Sequence, residues 1–536
     1  MRWWLSLGCL WSCFLLLLAL INYHFYQSCD SPQTTQLWST PANSHTQARD
    51  NLSDYWTSRS KLLTADQLLE TGGTVVLHGA EQQVNDLLTV FKREEYKETP
   101  FEAGRHFMNA REDIEKSNVF ELIRMMPKGS MLHIHDISML SVEKLVSNIT
   151  YMDHLYLCNS TQSSGEPDVR LQFFAAPDTT CDWLLLSDVR ASLGAGPVDQ
   201  WLIGQLSMIV EQPDDVYEDL HSSWAAFDGV ISRVRGMIHY EHAWRRVISL
   251  ALQEMADDNI QYAEIRSSLP QLSDLSGNLY PASHTIDIYR AALLEAASSD
   301  QGNRFWGGRV ILAMSRHVSP EQVSADVDRV LQLHADQPDL VAGFDLVAEE
   351  DCGAPLKEFV PQLLRLAENG VQTFYHAGET YWLGTDVDEN LYDAILLNAS
   401  RVGHGYGIVK HPLLMREAAR RGVAMEVCPI SNQVLGLVSD LRNHPAAVLL
   451  ASGLPVVVSA DDPGAWGAAG LSYDFYLTLM ALAGRRADLS TLKELAINSI
   501  RYSSLPDAEK QQLGMEWNKR WDEFINQVVD KYQLKT

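Results

Sequence analysis

Four short stretches of this chain carry side chains suited to hydrolytic chemistry. His133-Ile134-His135 places two imidazoles two residues apart. On a strand that spacing puts both on one face, and two neutral ring nitrogens make half of a zinc site. Taken alone, the motif is also an ordinary polar strand end. His376-Ala377-Gly378-Glu379 adds an imidazole and a carboxylate. Gly403-His404-Gly405 sets another imidazole between glycines, which let backbone approach a ligand closely or simply make a turn. Ser459-Ala460-Asp461-Asp462-Pro463 puts two adjacent acids after an apolar run, where a solvated loop is the plain alternative. Together His133, His135, His376 and Asp461 offer three nitrogens and one oxygen and leave a place for water on a metal. Glu379 and His404 remain as candidates for proton transfer.

Such residues must be brought to one place. Short apolar runs occur at Ser130–His135, Gln261–Ile265, Arg309–Met314, Val341–Leu346, Gln372–His376, Arg401–His404, Ala424–Cys428 and Pro455–Ser459. Helical stretches lie between them. Trp244, Val247, Ile248, Ala251, Leu252 and Met255 step by three and four, as do Leu356, Phe359, Val360, Leu363, Leu364 and Ala367, with Gly370 as a stop. Eight strands alternating with helices predict an α/β fold, a (β/α)8 TIM-type barrel over residues 127–536. A doubly wound open sheet is the second choice. In a barrel the strand C-termini carry the site, and all four motifs end strands. Residues 61–126 read as a helical extension, with an apolar face at Ile114, Val119, Phe120, Leu122 and Ile123. Residues 147–200 are turn-rich and read as an irregular insertion. From Asp507, Leu513, Trp517, Trp521, Phe524 and Val528 predict a packed terminal helix.

The formal net charge of −27 argues against general nucleic-acid binding. Arg2 precedes an apolar run from Trp3 to Ile21, so residues 1–29 read as a secretory signal or, uncleaved, a membrane anchor. Residues 30–60 read as a polar linker. The sequons at Asn51, Asn148, Asn159 and Asn398 become usable glycosylation sites on export. Cys158 and Cys181 flank a turn-rich stretch, as a disulfide would in an oxidising compartment. No C-x-x-C occurs, which argues against a cysteine zinc site.

The motifs MPKGSMLHIHD, VAGFDLVAEED, FYHAGET, RVGHGYG, EVCPISNQVLGLVSDLRNHP, SADDPGAWGAAGLSYDFY and NSIRYS resemble those of the secreted adenosine deaminase-related growth factors. The resemblance spans about residues 60–530. It implies a (β/α)8 barrel with an N-terminal helical dimerisation region and a small insertion held by Cys158–Cys181. It implies one zinc ion per chain on His133, His135, His376 and Asp461. It makes Glu379 the acid facing purine N1, His404 the residue handling the zinc-activated water, and Asp462 the grip on N7. Asp136, Trp224 and His284 fall where the family contacts the nucleoside. The implied substrate is extracellular adenosine, with 2′-deoxyadenosine beside it, and the implied partners are a second copy of the chain and a cell-surface receptor or glycan. One departure stands out: Ala348 follows GFDLV, where related deaminases often have glycine.

Two rival readings stand beside this one. Another zinc purine deaminase, such as one acting on AMP, needs a cationic phosphate pocket, and export argues against it. A growth factor without catalysis would not need the intact set of polar residues. A cytidine-deaminase-type site would need P-C-x-x-C, which is absent.

Overall fold

All eight apolar runs become strands in a computed structural model that describes residues 52–161, 167–298 and 305–534. In chain order the strands are Gly129–His135, Ile260–Ser267, Gly307–Ser315, Val341–Val347, the pair Gln372–Thr373 and His376–Ala377, Arg401–His404, Ala424–Val427 and Val456–Val458. They are referred to below as the first to eighth. Every neighbouring pair is parallel. Parallel pairing needs crossovers, and the intervening helices supply them. The ring is closed between first and eighth strands. His135 N donates to Asp461 O at 3.0 Å, and Asp461 N to His133 O at 3.1 Å. The fold is therefore the expected TIM-type barrel.

The fifth strand is not continuous as expected. Its first piece pairs with the fourth strand and its second with the sixth. The break has a local cause: His376 N donates to the Asp345 carboxylate at 2.9 Å rather than to a neighbouring strand.

The helix periodicities hold with small shifts. All six apolar residues expected on helix Glu241–Asp257 are buried. In Val360–Glu368 the buried residues are Leu363 and Leu366, while Leu364 is exposed. The terminal helix Asp507–Tyr532 buries Leu513, Trp517, Trp521, Phe524 and Val528. Trp517 Nε1 donates to Pro127 O at 3.0 Å, which ties this helix beneath the first strand.

Three expectations need correction. Residues 147–200 are not irregular. They hold a three-stranded antiparallel sheet (Leu155–Thr161, Pro167–Phe173 and Leu184–Leu185) and the helix Leu186–Leu193. Leu155, Leu157, Val169 and Leu171 alternate into the core, a period too short and interrupted to stand out among polar neighbours. The segment 113–126 is two helices, because Ser117 caps a new one, Asn118–Met125, by accepting from Phe120 N at 3.0 Å. The linker ends before residue 60, since helix Leu52–Leu69 already covers its last residues. The signal or anchor over residues 1–29 lies outside the described residues, and no described helix is long and apolar enough to cross a membrane.

Cys158 and Cys181 form a disulfide, at a sequence separation of 23. Closing a loop of that size contributes about 3 kcal/mol in the chain-entropy account. Cys158→Ser with Cys181→Ser should lower the denaturant midpoint accordingly while leaving the barrel's own spectrum intact. Unchanged stability would show that the insertion sheet holds without its crosslink.

Candidate active site

The floor of the site is a set of charged side chains inside the barrel. Glu264, Arg266, Asp345, Arg401 and Glu426 come from the second, fourth, sixth and seventh strands, and all have fully buried side chains. Arg266 joins Asp345 and Glu426, each at 2.7 Å. Arg401 joins Glu426 at 2.6 Å and Glu264 at 2.7 Å, and lies 4.2 Å from the Phe374 ring centre. Burying charges is costly unless each is paired and hydrogen-bonded, and this network meets that condition. The two arginines and the His133 imidazole hold Glu426 well below the usual carboxylate range, outweighing the upward push of burial.

The imidazoles stand on this floor. His133 Nδ1 lies 2.8 Å from Glu426, and His376 Nδ1 lies 2.7 Å from Asp345. Each carboxylate fixes a ring so that Nε2 faces the strand ends. A carboxylate behind a histidine is the usual second layer of a metal site. His135 and His133 both approach Asp461 Oδ1 through Nε2, at 3.2 and 3.1 Å. Burial presses the His376 imidazole down to about 4, which keeps it neutral and ligand-ready. His133 Nε2 is buried, and its 3.1 Å approach to Asp461 Oδ1 is not a well-formed hydrogen bond. Donor atoms of His133, His135, His376 and Asp461 all lie within 4.8 Å of one another. A buried orphan nitrogen among convergent donors fits a divalent metal.

Removing one carboxylate from the second layer should be felt at the metal. Asp345→Asn keeps the shape but weakens the grip on His376, and should cost about 10- to 100-fold in metal affinity. Competition with a graded series of chelators would measure it; an unchanged dissociation constant would show that Asp345 serves only Arg266.

Beside the donors lie the proton-transfer candidates. Glu379 and His404 are buried, with Glu379 Oε1 and His404 Nε2 3.4 Å apart. Burial pushes the Glu379 carboxyl well up, and the neighbouring Asp461 and Glu350 carboxylates push it further. Glu350 anchors that segment by accepting from Gly378 N at 3.1 Å and Glu379 N at 2.5 Å. Asp462 is likewise pushed well up by burial and by Asp461, and accepts from Ser138 Oγ. His404 Nδ1 lies 3.2 Å from Asn432 Nδ2, and Asn432 Oδ1 lies 3.0 Å from His444 Nε2. That relay leaves the His404 proton on Nε2, facing the site. Ser431 Oγ donates to Asp461 Oδ2 at 2.7 Å.

Backbone strain gathers here as well. His404 (φ 59°), Asp461 (φ 63°) and Ala348 (φ 82°) occupy the left-handed region without being glycine. Such positions persist only where the surroundings enforce them. At Ala348 the conformation is one that glycine adopts without strain.

The remaining candidates are spread out. Asp136 is buried and accepts from Tyr289 Oη at 2.8 Å. Trp224 packs 5.5 Å from Phe227, whose ring lies 5.2 Å from Trp466. His284 stacks on Tyr280 at 4.4 Å and faces Glu241 at 3.3 Å. Asn159 and Asn398 are exposed, Asn148 is half-buried, and Asn51 lies outside the described residues. Glu426, Asp345, Glu350, Asn432 and His444 were missed by motif reading. The signal was present for the acids, each a charge in or just after an apolar strand. A surface cleft lined by Glu115, Arg124, Gln253 and Lys519 lies elsewhere and holds none of these side chains.

Comparison with known proteins agrees with this geometry. The adenosine deaminase family model matches residues 209–519, and the adenosine/AMP deaminase N-terminal model matches residues 15–123. Adenosine deaminase 2 of Homo sapiens is 38% identical over 487 residues, covering 88% of this chain and 94% of the relative. An adenosine deaminase of Lutzomyia longipalpis is 39% identical over 479 residues, covering 88% and 93%. Among solved structures, the N6-methyl-AMP deaminase of Arabidopsis thaliana covers 75% of this chain and 99% of its own, with TM-score 0.52 and 17% identity. At that identity the likeness speaks for the fold, while the sequence matches span nearly the whole chain, and by them it belongs to the adenosine deaminase family.

Proposed function

We propose that this protein hydrolyses adenosine, and 2′-deoxyadenosine, to the inosine nucleoside and ammonia, using one zinc ion per chain. The observation that carries the reading is the meeting of His133, His135, His376 and Asp461 beside a buried Glu379 whose carboxyl is pushed well up by burial and neighbouring carboxylates. Two imidazoles and a carboxylate share the donor set with a third imidazole, which suits zinc better than calcium or magnesium. Zinc held there supplies Lewis acidity, bringing proton loss from water into the neutral range.

The chain's own residues do the rest. Attack at C6 builds negative charge on the purine. Glu379 relieves it by delivering a proton to N1 and recovers one from the attacking water, whose other proton leaves with the C6 amino group as ammonia. Asp462, whose carboxyl is pushed well up by burial and by Asp461, donates to N7 while accepting from Ser138. His404 presents Nε2–H towards Glu379 and Asp461, so it orients the attacking oxygen as a donor. Asn432 and His444 hold it in that tautomer. The closing of the pocket by Asp136 and Trp224 belongs to the same reading.

Loss of adenine absorbance on incubation with adenosine, abolished by a chelator and restored by zinc, is the direct test. No loss of absorbance with the zinc-loaded protein would refute it.

Export to the extracellular space, with glycans on Asn159 and Asn398, and growth-factor-like action through a receptor belong to the same proposal. The disulfide and the exposure of those two asparagines support export. A homodimer is also proposed, on a narrower face than the sequence implied. Val84 and Leu88 are buried within the chain, and Phe91 meets Tyr532 at 5.5 Å. Leu68, Leu69, Val76 and Val90 remain exposed. Light scattering should give about twice the 60.2 kDa chain mass before glycans. A monomer at micromolar concentration would exclude the dimer.

A further inference from the structure

Away from the strand ends of the first, fifth and eighth strands lies another set of metal-ligating side chains. Donor atoms of His221, Glu349 and Cys352 all lie within 4.8 Å of one another. They come from two distant parts of the chain. His221 is in the first turn of helix Leu220–Ile238. That helix rests over the segments following the seventh and eighth strands: Leu220 and Ser223 pack on Gly436, and Phe227 lies 5.2 Å from Trp466. Glu349 and Cys352 belong to the turn after the fourth strand, on the other side of the barrel. In that turn Glu350 holds the backbone of Gly378 and Glu379.

We propose that His221, Glu349 and Cys352 form a second metal site, for a borderline-soft divalent ion such as zinc, that clasps the mouth of the barrel. A thiolate, an imidazole and a carboxylate are a zinc-type donor set, whereas calcium and magnesium take oxygen ligands. The Cys352 thiol donates to Glu349 Oε1 at 3.3 Å, so a cation entering there takes the place of one proton, which leaves to solvent. The His317 side chain holds the carboxylate's segment in place, its Nε2 lying 3.1 Å from Glu349 O. Three protein donors at an exposed position leave a coordination place for water and make this site weaker than the buried one. An ion bound here joins the helix to the turn across the mouth. That restrains the opening through which nucleoside and product exchange, and exchange often limits turnover.

The test is titration of the full chain with cobalt(II), comparing wild type with Cys352→Ser and His221→Ala. Wild type should develop a near-ultraviolet thiolate-to-cobalt charge-transfer band as the weaker equivalent binds. Bound metal should fall from about two ions per chain to about one in either variant. Excess zinc should slow adenosine turnover of wild type and leave Cys352→Ser unaffected. The turnover readout rests on the deaminase reading, whereas the cobalt band does not. A weaker equivalent without a thiolate band, or one retained in Cys352→Ser, overturns the site. So does non-reducing electrophoresis that finds Cys352 linked to a second chain. Equal zinc inhibition in wild type and Cys352→Ser overturns the clasp.

Discussion

With His376→Ala, the purified protein is expected to contain little metal and to lose adenosine turnover by at least about 10⁴-fold. The size follows from the chemistry: without a metal, water keeps a pKa of about 15.7 rather than about 7, and the attacking species is scarce at neutral pH. The loss is not one of packing alone. His376 stands between Asp345 and the other donors, so its removal leaves the remaining ligands without the member that the fourth strand positions. Asp345 keeps Arg266 as a partner, and the barrel should still fold. Elemental analysis beside a turnover assay separates the outcomes. Full metal occupancy in the variant would take His376 out of the ligand set, whatever the activity.

Glu379→Gln is expected to do something different. The side chain keeps its size, Glu350 still holds the backbone at Gly378 and Glu379, and the metal should stay bound. An amide can hydrogen-bond to N1 but has no proton to give. The turnover number should fall at least about 10²-fold, the scale of a lost general acid. The Michaelis constant should change little, because the amide still fills the place. This pattern in kcat with retained metal marks a group that acts in the transition state. Near-normal turnover would remove Glu379 from proton transfer.

The parts of the site that could be read from sequence were those at strand ends. His133, His135, His376, His404, Asp461 and Asp462 lie in or within four residues of the ends of short apolar strands, so the barrel's geometry gathers them without any knowledge of side-chain contacts. Asn432 and His444 follow no such rule. They reach His404 through the helix Pro429–Val434 and the loop beyond it, and only tertiary packing sets that meeting. The charged floor was half-legible. Glu264, Arg266, Asp345 and Glu426 interrupt apolar strands, but a period of two says which face a charge takes and not which charge it will meet. Trp224 and His284 carry no strand-end signal: Trp224 packs among aromatic rings, and His284 stacks on Tyr280 and faces Glu241. The insertion sheet escaped notice because its strands pair with one another, and their alternation is brief.

The hydrogen bonds between His133, His135 and Asp461 that close the ring also set when the site can exist during biosynthesis. The two flanks of that seam are among the first and last parts of the barrel to leave the ribosome. Until the eighth strand emerges, a nascent chain holds an open sheet with two imidazoles on one edge and no carboxylate opposite. Contacts so distant in sequence form slowly, because loop-closure entropy opposes them. A metal that bridges the seam binds the closed state and not the open one, so it shifts the balance towards closure by mass action. Metal supply during synthesis would then govern the yield of folded protein as well as its activity. Chains starved of metal would linger with an unpaired strand edge, the form most exposed to aggregation.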